Sequence, residues 1–161
     1  MKICNMEAMK KIKQLEEEIN ILQNEERMNC VVSYKEGEKK TAPAYDYAKT
    51  RKLINEANDE IRRIKYALQV ANTTYKIDNF NMSISEALVY LAQLNAEYSR
   101  LSLLSNRTKI SRRITANGVL EYTECQYDPE KVKEDQKNLY AKINKLQVSI
   151  DRANLNCFID L

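Results

Sequence analysis

Between Glu97 and Glu121 the chain holds no acidic residue, yet this interval carries Arg100, Arg107, Lys109, Arg112 and Arg113. Guanidinium forks present several fixed donors and grip phosphates or carboxylates in pairs of hydrogen bonds. Ser111 adds a hydroxyl, and the nearby Tyr122 adds a ring on which a base or a guanidinium can stack. Arg107, Lys109, Arg112, Arg113 and Tyr122 are therefore the candidate ligand-binding residues, and a small anion such as a nucleotide is the candidate ligand. The same charges have a structural use. Asn117-Gly118 suits a two-residue type I′ turn, and that register sets Arg113 opposite Tyr122 and diagonal to Glu124, with Arg112 diagonal to Glu121. Cross-strand ion pairing then competes with ligand binding for these side chains.

Other chemistries lack their parts. The chain has no histidine, which removes the usual proton shuttle at neutral pH and the commonest metal ligand. Cys4, Cys30, Cys125 and Cys157 show no CxxC spacing, two isolated glycines cannot build a phosphate loop, and no serine stands in a nucleophile-elbow context. Glu16, Glu17 and Glu18 read as a solvated helix face rather than as acid/base carboxylates. We assign no catalytic residue, no metal site and no cofactor. Tyr45 and Tyr47 can line a base-stacking pocket, or sit in a core with their hydroxyls at the surface.

Long helices must position these residues. From near Ile3 to Arg27, Ala8, Ile12, Leu15, Ile19 and Leu22 recur at spacings of four and three and share one stripe. From about Tyr45 to Ala71, Ile54, Ala57, Ile61, Ile64, Leu68 and Ala71 repeat the pattern. A helix opening at Asp128-Pro129 carries Val132, Leu139, Ile143, Leu146, Ile150 and Ala153, since proline suits a first turn that needs no amide donor. Between them, Ser83 and Glu86 form a capping-box pair ahead of a run that is apolar on most of its circumference. That helix belongs in a centre or a subunit interface, with Leu91, Leu94 and Leu101 buried. The helical period stops twice. TKISRRITANGVLEYTECQYD predicts a hairpin, and CVVSYKEGEKKTAPAYDY holds either a strand at Cys30 to Tyr34 or only an ordered loop.

The expected fold is mainly α, an antiparallel bundle of about four long helices with a small β-hairpin insertion. It forms one domain, 1–161, with the insertion at about 108–126. Heptad spacing also permits a coiled coil, but the two insertions favour helices folded back on one another. Charged residues make up 30% of the chain and nearly cancel, to +3, far from the footprint of a dedicated nucleic-acid binder. Acids and lysines interrupt MKICNMEAMKKIKQLEEE where a signal peptide needs apolar residues, which predicts a cytoplasmic protein with reduced cysteines. Glu86, Glu97 and Arg100 in the most apolar segment argue against a membrane span.

The order of features resembles the septicolysin-like family of small bacterial helical proteins. The resemblance lies in KKIKQLEEEIN, in VVSYKEGEKKTAPAYDYAKTRKLINE with its Glu-Gly turn and following proline, in ANTTYKIDNFNMSISEAL, in the hairpin GVLEYTECQ and in the closing IDRANLN. It spans nearly the whole chain. The family pattern has an arginine just before ANTT and a tryptophan near RANLN, where this chain holds Val70 and Leu155. The resemblance implies a helical fold with a small β insertion, and oligomers, and it brings no catalytic residue.

These readings lead to two expectations. In the first, the chain is a non-enzymatic homo-oligomer that sequesters or senses a small anionic ligand near the basic hairpin. In the second, it is a structural assembly protein that acts through protein–protein contacts, with no small ligand.

Overall fold

The computed structural model of the chain describes residues 2–161. It is mainly helical, with four helices and two antiparallel sheets of two strands each. The elements run β1 (Lys2–Cys4), α1 (Asn5–Asn29), α2 (Tyr47–Thr74), α3 (Ile84–Ser105), β2 (Ile110–Ile114), β3 (Leu120–Glu124), α4 (Pro129–Asn156) and β4 (Phe158–Asp160). Contacts gather into two compact units, residues 2–74 with 154–161, and residues 75–153.

In the first unit α1 and α2 run antiparallel. Asn5 meets Asn72 at one end, through a 2.9 Å side-chain hydrogen bond, and Glu26 meets Tyr45 at the other. Along the way Lys11 pairs with Glu60, and Lys65 with Glu16 at 3.0 Å. The stripes foreseen from periodicity form the core. Ala8, Ile12 and Leu15 pack with Ile61, Ile64 and Leu68, and Ala57, Ala67 and Ala71 border the cluster. Small side chains there let the two backbones approach closely along their length. Ile159 of β4 completes the cluster, because β1 and β4 pair antiparallel, Lys2 with Asp160 and Cys4 with Phe158. Neither strand is apparent from periodicity. The predicted helix start at Ile3 is corrected accordingly: residues 2–4 are extended, and α1 opens where Glu7 accepts the Cys4 N–H at 2.9 Å. That bond holds the Glu7 carboxyl below its usual range. The alternative strand at Cys30 to Tyr34 is also absent; this stretch is loop with a turn at 36–37.

In the second unit α3 and α4 run antiparallel and stand further apart, with rings between them. The Tyr98 and Tyr140 centroids lie 5.9 Å apart, Lys142 Nζ sits 5.0 Å over the Tyr90 ring, and the Ser105 hydroxyl donates to Gln136 at 2.9 Å. The capping box forms as its residues require: Glu86 N–H donates to the Ser83 hydroxyl at 3.2 Å, and Ser83 N–H to the Glu86 carboxylate at 2.6 Å. The bond from the Ser83 backbone, with Lys76 nearby, holds the Glu86 carboxyl below its usual range. Ile84, Ala87 and Leu94 are buried, while Leu91 and Leu101 are half-buried. Beside this buried line, Leu88, Val89, Ala92, Ala96 and Leu103 are exposed and form an apolar stripe with no charge. α3 is therefore apolar over more of its circumference than it buries. Among the described residues no helix is long and apolar enough to cross a membrane.

Candidate functional site

The predicted hairpin is present, and its register differs from the I′ expectation. A type I′ turn needs positive φ at both central residues, but the residues of this turn include only one with positive φ, Gly118 at +74°. Thr115 N–H donates to Val119 O at 2.8 Å, and Gly118 N–H to Thr115 O at 2.9 Å. This is a three-residue loop, Ala116 to Gly118, in which a turn is followed by a left-handed glycine. The extra loop residue shifts the pairing by one. Arg112 therefore stands opposite Tyr122, and Arg113 opposite Glu121. The expected Arg113–Tyr122 pair and the Arg112–Glu121 diagonal are both overturned.

Directly opposed residues of an antiparallel pair share a face, and successive residues alternate. One face of the ribbon therefore holds Ile110, Arg112, Ile114, Leu120, Tyr122 and Glu124. The other holds Ser111, Arg113, Glu121 and Thr123. On the second face Arg113 Nε is hydrogen-bonded and ion-paired to Glu121. On the first, neither Arg112 nor Glu124 forms an ion pair among the described residues, and every residue of both strands is exposed. The base of the ribbon is anchored: Cys125 N–H donates to Lys109 O at 2.9 Å, and the Tyr127 hydroxyl to Leu104 O at 3.0 Å at the end of α3. Burial, then the contact with Cys125, pushes the Tyr127 hydroxyl above its ordinary pKa.

The five candidate binding residues thus divide three ways. Arg113 is tied to Glu121, and Arg112 and Tyr122 share the opposite face. Arg107 and Lys109 line a groove of about 410 Å³ beside the start of α4, with Lys133, Asp128 and Glu130. There the Asp128 carboxylate accepts the Glu130 N–H at 3.1 Å, and Lys133 pairs with Glu130 at 2.6 Å. Arg100, from the same acid-free interval, turns back on Glu97 with a 2.7 Å hydrogen bond. These basic side chains thus lie on both faces of the ribbon, in the groove and on α3.

One member of these surroundings escaped the reading of the sequence: Lys133 joins Arg107 and Lys109 only where the start of α4 returns beside the foot of the ribbon. Glu124, expected diagonal to Arg113, shares its face with Arg112 in the three-residue register. The signal for the latter was the choice between two loop lengths around Asn117-Gly118. Tyr45 and Tyr47 build no common base-stacking pocket. The Tyr45 hydroxyl donates to Glu26, which pushes its pKa up to about 12. Tyr45 lines a groove of about 470 Å³ edged by Glu25, Glu26 and Asp46 against one cation, Lys49, a balance that opposes a phosphate, and Tyr47 lines a separate one. No group of three or more potential metal-ligating His, Cys, Asp or Glu residues occurs among the described residues.

Comparison with known proteins adds the fold alone. No family model and no curated protein matches the chain. Its fold is similar to the crystal structure of a functionally unknown conserved protein from Corynebacterium diphtheriae, with a TM-score of 0.68 at 14% identity over 99% of this chain and 100% of that one.

Proposed function

We propose that the chain is a non-enzymatic assembly protein that acts through protein–protein contacts, foremost with copies of itself. One observation supports this above the others: the ribbon stands with every strand residue exposed and four of the six side chains on one face apolar or aromatic. A two-stranded hairpin is marginal by itself in water, and apolar surface left open on such an element marks a contact site. The uncovered stripe of α3 adds surface of the same kind. Membership of the septicolysin-like family, with its implied oligomers, and a cytoplasmic location belong to the same proposal. Sedimentation velocity across a concentration series is expected to show reversible association. A strict monomer up to roughly a millimolar, where even weak specific contacts register, would refute it.

The groove at the start of α4 favours a second reading, in which a small anion such as a nucleotide is held there. Arg107 and Lys109 form no ion pair among the described residues, and Lys133 lines the groove with them. On that reading inorganic phosphate or a nucleotide titrated by calorimetry binds, and Arg107→Ala weakens binding about tenfold or more, the scale of hydrogen bonds to charged groups. Equal affinity in the variant, or no binding at all, would leave assembly as the function.

A further inference from the structure

The apolar face of the ribbon has the charge pattern of a surface made to meet its own copy. It carries one cation and one anion, Arg112 on β2 and Glu124 on β3, in adjacent cross-strand pairs. Among the described residues neither forms an ion pair, while Arg113 and Glu121 on the other face pair with each other. A carboxylate on this face opposes a phosphate backbone or an anionic ligand. A strongly charged partner would match only one of the two groups. A second copy matches both. A twofold axis along the ribbon exchanges the two strands, so each residue meets its cross-strand neighbour from the other copy. Arg112 then lies over Tyr122 of the second copy, as a guanidinium prefers to lie over a ring, with Glu124 of that copy one pair further along and within reach of its long side chain. Ile114 meets Leu120. Each of these contacts occurs twice.

We propose that the chain self-associates face to face through this ribbon, with reciprocal Arg112–Glu124 pairs between copies. The proposal rests on the assembly reading and specifies its partner and contact. Five residues at about 3.4 Å rise on two strands about 4.8 Å apart offer on the order of 250 Å² per copy. A stable dimer buries about 800 Å² per partner. The contact is therefore weak by itself, and it weakens further with salt because its charges lie near water.

The test uses charge exchange in the full chain, read by sedimentation velocity at low and high salt. Arg112→Glu sets a new carboxylate against Glu124 of the second copy, and Glu124→Arg places two guanidiniums together. Each variant alone is expected to associate about tenfold or more weakly than the unaltered chain. An equimolar mixture of the two restores association, since every pair between unlike copies is again opposite in sign while each chain still carries like charges on its own ribbon. That restoration also shows that both ribbons are folded. Ser111→Glu, on the other face, leaves association unchanged. If the unaltered chain associates and the single variants match it, the contact lies elsewhere and this inference fails while the assembly reading stands. Weakened variants that the mixture does not rescue overturn it equally. A chain that never associates overturns both.

Discussion

Ile64→Ala is expected to destabilise the first unit by about 2–5 kcal/mol, the cost of removing most of a core isoleucine and leaving a cavity. The side chain is 1% exposed and sits among Ala8, Ile12, Leu15, Ile61, Leu68 and Ile159. The cost belongs at the upper part of that range because the neighbours come from two long helices and a strand held by its own pairing, so the wall cannot collapse into the space. Ile64→Val removes one methylene and should cost only about 0.5–1.5 kcal/mol. Leu53→Ala, on the same helix and 40% exposed, should cost less than Ile64→Ala. Urea unfolding followed by circular dichroism gives all three values. A loss below about 1 kcal/mol for Ile64→Ala would mean that this core is not the one drawn here.

The second large effect is expected for Leu146→Ala in α4, also about 2–5 kcal/mol. Leu146 has no exposed surface and lies on the stripe formed by Ile143, Leu146 and Ile150, which faces inward in the second unit. Val148, two residues along and more than half exposed, is the comparison: Val148→Ala changes side-chain size on the same helix and should shift stability by less than about 0.5 kcal/mol. The contrast tests orientation as well as burial. If Val148→Ala costs as much as Leu146→Ala, α4 is rotated from the position described.

The helices were legible for the reason that makes these predictions possible. Ala8, Ile12 and Leu15, or Ile143, Leu146 and Ile150, repeat at the helical period over several turns, and only burial on one side of a helix sustains such a pattern. Ser83 and Glu86 marked a helix start because their side chains complete each other's bonds within four residues. Lys2–Cys4 and Phe158–Asp160 were not legible, since three residues are too few to show alternation and their partners lie at the far end of the chain. The hairpin was legible in position and misread in register. Asn117-Gly118 fits a two-residue loop, yet the Thr115 N–H donates to Val119 O and the Val119 N–H to the Thr115 hydroxyl, which closes a three-residue one. That one-residue difference decided the candidate site: it set Glu121 directly opposite Arg113, put Arg112 opposite the Tyr122 ring, and moved Glu124 from the face of Arg113 to that of Arg112. The uncovered α3 stripe was equally open to view in the sequence, as an apolar run too broad for one helix neighbour.

The pairing of β1 with β4 also fixes how the backbone travels. Lys2 stands directly opposite Asp160, a separation of about 5 Å between Cα atoms in an antiparallel pair. Any polypeptide that enters at Lys2 and any that leaves at Asp160 must pass side by side, whatever lies beyond. The path from one to the other is nearly a closed circuit, which a linker of a few residues would complete. New ends could then be opened in the exposed turn around Gly37, in the loop between α1 and α2 and outside both helices. In this chain the order of elements along the sequence is thus separable from their arrangement, and circular permutation would leave each helix and both strand pairs whole.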